Sequence, residues 1–256
     1  MTESWILLRG LTREAAHWGD FVPALSAALP DVELVTVDLP GAGLSKAPWP
    51  ATIRDAMELV RAEAGARARG ARRFVFGVSL GGMVTMEWAA RHPGELAGVV
   101  VGASSARDVA PFWRRMRPRA LARLALGAMK RDVSAREAAV VRLVSNREDL
   151  WPETTRRWVE IQRARPMAAA TARGQIAAGA RYRAPERLGA PALFLVGLGD
   201  RLVHPDCSRA LAARYGAPLS EHPSAGHDLT TDAGDWVVAE LVRFRTQLGE
   251  VAPRVH

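Results

Sequence analysis

The chain has 256 residues, 48% of them hydrophobic, and a formal net charge of +8, which allows one large domain or two small ones around a packed core. Its single cysteine, Cys207, excludes an internal disulfide and a metal site built from several cysteines. The opening MTESWILLRG has only four consecutive apolar residues, preceded by an acidic one, so neither a signal peptide nor a membrane span is expected there, and the expected compartment is the cytoplasm.

In chain order, short apolar runs alternate with helical patterns. WILL (5–8) and ELVTVD (33–38) read as strands with a helix over 17–29 between them. A helix over 53–69 then leads into RFVFGV (73–78), a helix over 80–91 and the strand LAGVVVG (96–102). The alternation stops over residues 106–183, which show no strand pattern and have helix breaks at Pro111, Pro118, Pro152 and Pro166. At about 80 residues this stretch is too long for a strand-to-helix loop, so it is expected to be a helical cap inserted in a core of residues 1–105 and 184–256. Alternation resumes with ALFLVG (192–197), a helix over 205–215, PLSEHP (218–223) and a helix over 230–248.

Strands apolar on both faces are covered by helices on both sides. The fold class is therefore α/β: a mostly parallel sheet between helices.

Charge is unevenly spread, with 18 Arg and Lys against 7 Asp and Glu in residues 106–185. A basic surface attracts anionic substrates, nucleic acid or acidic lipid. Here the arginines are interleaved with acids and apolar residues, as on solvated helix faces, and no nucleic-acid motif accompanies them, so no nucleic-acid partner is expected.

Gly77-Val78-Ser79-Leu80-Gly81 matches G-x-S-x-G, a turn from strand to helix that projects a nucleophilic hydroxyl. Strand and helix pass so closely there that side chains at the flanking positions would collide. A serine hydroxyl needs a base to take its proton and an acid to orient that base. His227, in the small-residue loop PSAGHDL, is the candidate base, and Asp200, just beyond ALFLVG, the candidate acid. Their order, Ser79, Asp200, His227, is the one expected for this turn. His222 lies within a strand-like run, and His17 and His92 in helical patterns; His204 follows Asp200, and His256 is terminal. Asp108 comes late after its strand, and Asp228 reads as a helix-start or solvent-facing residue. No H-E-x-x-H or comparable spacing points to a metal, and no cofactor is expected.

These segments resemble the α/β-hydrolase family over nearly the whole chain, with residues 106–183 matching only as a variable cap. DLPGAGLS (38–45) is similar to the family's D-x-x-G-x-G-x-S loop, and RHPGELAGVV to its H-P segment. The family's first two strands have no counterpart, so the resemblance implies a trimmed sheet of about six strands. It also implies an oxyanion hole from the N–H groups of Leu11 and Leu80, and a pocket near Gly10, Thr12, Ser104, Trp113, Met116 and His204.

The activity implied is cleavage of carboxylic esters of small to medium acyl chains. Carbon–carbon, thioester or lactone hydrolysis and cofactor-free lyase chemistry share the constellation, and a receptor without turnover remains a further reading. One departure is Arg9-Gly10 where the family usually has His-Gly. Arg9 is expected to pair with Asp38, because both end neighbouring strands.

Overall fold

The computed structural model describes residues 3–251, so His256 lies outside the described residues. Its strands are β1 (Glu3–Leu8), β2 (Val32–Val37), β3 (Arg72–Val78), β4 (Gly98–Gly102), β5 (Ala192–Gly197) and β6 (Leu219–His222). They form one sheet in the order β2-β1-β3-β4-β5-β6, with every neighbouring pair parallel. This is the expected six-stranded parallel sheet. After β1 the chain moves outward to β2, and after β3 it moves the opposite way to β4. The loops leaving β1 and β3 therefore diverge, opening a crevice at the carboxyl ends of these strands.

Helices α1 (Phe21–Ala28), α2 (Ile53–Arg67) and α3 (Leu80–Arg91) connect the first four strands. Between β4 and β5 lie α4 (Phe112–Arg115), α5 (Pro118–Ala128), α6 (Val133–Val144), α7 (Trp151–Ala164) and α8 (Ala169–Arg181), with no strand among the described residues. The chain closes with α9 (Asp206–Tyr215), α10 (Leu229–Asp232) and α11 (Gly234–Val251).

The period of two along each strand divides the apolar residues between two cores. Ile6, Leu8, Val75 and Val99 pack with α2, α3 and α9 on one face, while Trp5, Leu7, Phe74 and Phe76 pack with α1 and α11 on the other. A third cluster joins Val141, Val144 and Trp158 of α6 and α7 to Leu202, Val203 and Cys207.

Two expected helices are interrupted. The pattern over 17–29 becomes a short 3-10 turn, Ala15–Trp18, followed by α1, because Gly19 takes a left-handed φ of 52°. The last helix is likewise divided into α10 and α11 at Ala233.

Candidate active site

Ser79 joins β3 to α3 with φ 56° and ψ −114°, a conformation that costs about 1–3 kcal/mol and has to be held by its surroundings. Its N–H donates to Gly102 O (2.8 Å), and its carbonyl accepts from Met83 N (3.2 Å) and Ser104 Oγ (2.8 Å). A Cβ on Gly77 would lie 2.4 Å from Gly81 O, and one on Gly81 would lie 2.5 Å from Leu8 O. Both obstacles are backbone, so neither flanking position has room for a side chain. Thr12, Ser79 and Ala103 are the non-glycine residues with positive φ among the described residues. All three line one cavity, each just past the end of β1, β3 or β4. Backbone strain of this kind clusters at functional sites.

The cavity has a volume of about 360 Å³ and is largely apolar, with Leu11, Leu80, Met83 and Val144 among its walls. His227 lines it together with Ser79. The His227 Nδ1 lies 2.7 Å from Asp200 Oδ2, and Asp200 Oδ1 accepts from Leu202 N (2.8 Å) and Val203 N (2.9 Å). A carboxylate oxygen can only accept, so Nδ1 is assigned the proton and Nε2 is left as the basic nitrogen. Burial works against the charged imidazolium of His227, but the Asp200 charge and hydrogen bond and the Asp228 charge outweigh it and hold the pKa above its ordinary value.

Several polar residues that sequence reasoning missed hold these loops. A Cβ on Gly10 would sit 3.0 Å from Ser79 Cβ, so the loop after β1 passes directly against the serine. In that loop Thr12 N donates to Oε1 of the fully buried Gln175 of α8 (2.9 Å), and Arg13 pairs with Glu137 of α6 (2.7 Å) beneath the Trp158 ring. On the other side, Asp232 accepts from Ser145 Oγ (2.5 Å), Asn146 N (2.8 Å) and Gly226 N (2.7 Å). Asn146 Nδ2 donates to Gly199 O and Ser224 O, and Asp228 N to Val144 O. The loops carrying Asp200 and His227 are thus fastened to the end of α6. Their local sequence carries no common signal: Asn146 lies in the polar run SNRED and Asp232 in TTDAGD, and only folding brings them to these loops.

Of the pocket positions read from the sequence, Gly10, Thr12, Ser104 and Met116 line the cavity, as do Leu11 and Leu80. Trp113 and His204 are not among the lining residues: Trp113 faces outward, and the His204 ring turns to Asp206, whose N–H it accepts at 3.2 Å. His222 accepts from Ala225 N (2.9 Å) in the turn before His227. Asp108 accepts from Ala184 N and pairs with Arg214. Cys207 is buried, and that burial pushes its thiol up to about 12. Among the described residues no helix is long and apolar enough to cross a membrane.

A model of the alpha/beta hydrolase family matches residues 5–240. The chain belongs to this family. It is 37% identical over 100 residues to a pimeloyl-[acyl-carrier protein] methyl ester esterase from Edwardsiella ictaluri, a match spanning 39% of this chain and 36% of that protein. In structure this α/β hydrolase is similar to a thermophilic esterase from Thermogutta terrifontis (TM-score 0.72, 18% identity, 97% of this chain and 91% of that one). It is also similar to an enol-lactonase from Burkholderia xenovorans (TM-score 0.74, 21% identity, 96% and 92%).

The departure at Arg9 takes a different form in this α/β hydrolase from the one expected. Arg9 pairs with Asp228, with Nη2 2.5 Å from Oδ2 and Nη1 3.2 Å from Oδ1, while also donating to Thr230 Oγ1 (3.1 Å) and lying 4.8 Å from the Trp18 ring centre. Asp38 is not its partner. The Asp38 carboxylate closes the turns after β1 and β2 by accepting from Ala15 N (2.6 Å) and Leu44 N (2.8 Å). Asp228 does stand at the N-cap of α10, but it is buried rather than solvent-facing, and its carboxylate accepts from Arg9 and Thr230 instead of from a helix N–H. Burial opposes its charge, but the Arg9 guanidinium beside it holds its carboxyl below the usual carboxylate range.

Proposed function

We propose that the protein is a serine hydrolase of carboxylic esters with small to medium acyl chains. The observation that carries this reading is one cavity lined by both Ser79, on its strained turn, and His227, whose Nδ1 is 2.7 Å from Asp200. Ser79 Oγ attacks the ester carbonyl while its proton passes to His227 Nε2, and Asp200 steadies the imidazolium. The N–H groups of Leu11 and Leu80 receive the oxyanion, the latter at the N-terminus of α3, where free N–H groups and the helix dipole favour negative charge. Collapse expels the alcohol, which takes the proton from His227. Water then cleaves the acyl-serine, releasing the acid and restoring Ser79.

Residues 106–183 act as the cap in this reading, supplying Phe112, Met116, Leu124 and Trp158 to the apolar wall. A volume of about 360 Å³ is at the small end of ligand pockets and suits short and medium acyl chains. The match to the pimeloyl methyl ester esterase supports ester chemistry. The test is a series of p-nitrophenyl esters of increasing chain length, run beside one acyl-CoA and one lactone. Highest kcat/KM on a short or medium ester is the expected result. Turnover of the lactone or thioester with no ester cleaved would overturn it.

The raised pKa of His227 fixes the direction of the pH dependence. The base acts only when neutral, so kcat/KM falls as pH drops through a midpoint above about 6.5. A profile for the preferred ester whose acid limb lies below that value would contradict the arrangement.

A further inference from the structure

We propose that the outer face of residues 112–131 docks on an anionic lipid surface. This stretch, FWRRMRPRALARLALGAMKR, has seven Arg and Lys and no Asp or Glu. Arg114 pairs with Asp206, Arg115 donates to Ala180 O, and Arg117 donates to Asp200 O. Arg119, Arg123 and Arg131 are exposed and make no hydrogen bond or ion pair among the described residues.

The same stretch exposes large apolar side chains. Phe112 is 70% exposed and Met129 79%, and Trp113, Leu121 and Leu126 are each more than half exposed. At about 100° per residue, α5 turns Ala120 and Gly127 inward, and Leu121, Ala122, Ala125 and Leu126 fall on its outward arc, continued by Met129. Arg119 and Arg123 stand one turn apart along the border of that arc. A contiguous apolar patch edged with cations marks an interaction surface, and on a helix it is the pattern of segments that lie in a lipid interface.

Charge complementarity selects the occupant. A second copy of this chain would bring its own cations against these. Nucleic acid would satisfy the cations but leave the apolar arc wet. An anionic bilayer satisfies both, with phosphates at the level of the arginines and the leucines at the acyl boundary, where Trp113 would also be favourably placed. Phe112 and Leu121 of the patch and Ile176 of α8 are exposed and also line the cavity that holds Ser79 and His227, so the mouth opens at the edge of the patch. Entry of substrate from the lipid rests on the ester-hydrolase reading, whereas docking itself does not.

The test is co-sedimentation of the full chain with vesicles of phosphatidylcholine alone or mixed with phosphatidylglycerol. Binding to the mixed vesicles only, weakening as salt rises, is expected. Arg119→Glu/Arg123→Glu and Leu126→Ser/Met129→Ser should each lower partitioning at least about 10-fold while turnover of a soluble short ester is unchanged, since none of the four lines the cavity. Ser79→Ala should bind as the wild type does, which separates docking from chemistry. Failure to bind mixed vesicles, or variants that bind undiminished, would overturn the proposal. A solution dimer abolished by Leu126→Ser/Met129→Ser, or DNA binding lost in the charge-reversed variant with no vesicle binding, would overturn it too.

Discussion

Replacing Ser79 with alanine should lower ester turnover at least about 10³-fold and leave the melting curve almost unchanged. Alanine keeps the Cβ that already tolerates φ 56°, and the bonds holding this residue, to Gly102 O, Met83 N and Ser104 Oγ, all run through its backbone. Only the hydroxyl is lost. His227→Ala should cost about as much, and the double variant little more than either single one, because a nucleophile and its base act as one unit. Steady-state kinetics on the preferred ester, with circular dichroism melts of the same samples, provide the check. Full activity in either single variant would end the assignment, and independent, multiplying losses would indicate that the two residues serve different steps.

The second large effect concerns stability. Asp228→Ala should destabilise the protein by about 3–5 kcal/mol, because it leaves the Arg9 guanidinium buried without its counter-charge. Arg9 and Asp228 side chains are each only 5% exposed, so water cannot substitute for the lost partner. Over a domain of this size that corresponds to a fall in melting temperature of roughly 6–20 °C. Arg9→Met/Asp228→Leu removes both charges and should recover much of the loss, since replacing a buried ion pair by apolar groups is often close to neutral. Denaturant unfolding of the two single variants and the double one closes the cycle. A double variant as unstable as the sum of the singles would show that the pair is not the source of the effect.

The contrast between these two sites explains what was legible in the sequence. The strands could be read because burial on both faces leaves a local record, as in RFVFGV and ALFLVG, and the turn at Ser79 because its steric demand falls on two residues within five positions. Asp200 and His227 follow consecutive strands of one sheet, so chain order alone brought attention to their loops, and the side chains lie 2.7 Å apart. Arg9 and Asp228 are separated by 219 positions, and no periodicity records such a partnership. Asp38 ends the strand next to that of Arg9, yet its carboxylate turns to two backbone N–H groups, of Ala15 and Leu44. Gln175 was overlooked for a similar reason: its bond to Thr12 N forms only once α8 has settled over the loop after β1. The split of the last helix at Ala233 is marked in the sequence only by Gly234 in the short polar stretch TTDAGD.

The bonds that Asp232 and Asn146 make at the end of α6 limit how the entrance can breathe. They rivet the long excursion between β4 and β5 to the scaffold near its midpoint. A swing of the whole excursion as a single flap hinged at its two roots would have to break these bonds. Widening of the mouth that keeps them intact leaves the spans on either side of the rivet to move separately, with α4 and α5 on one side and α7 and α8 on the other.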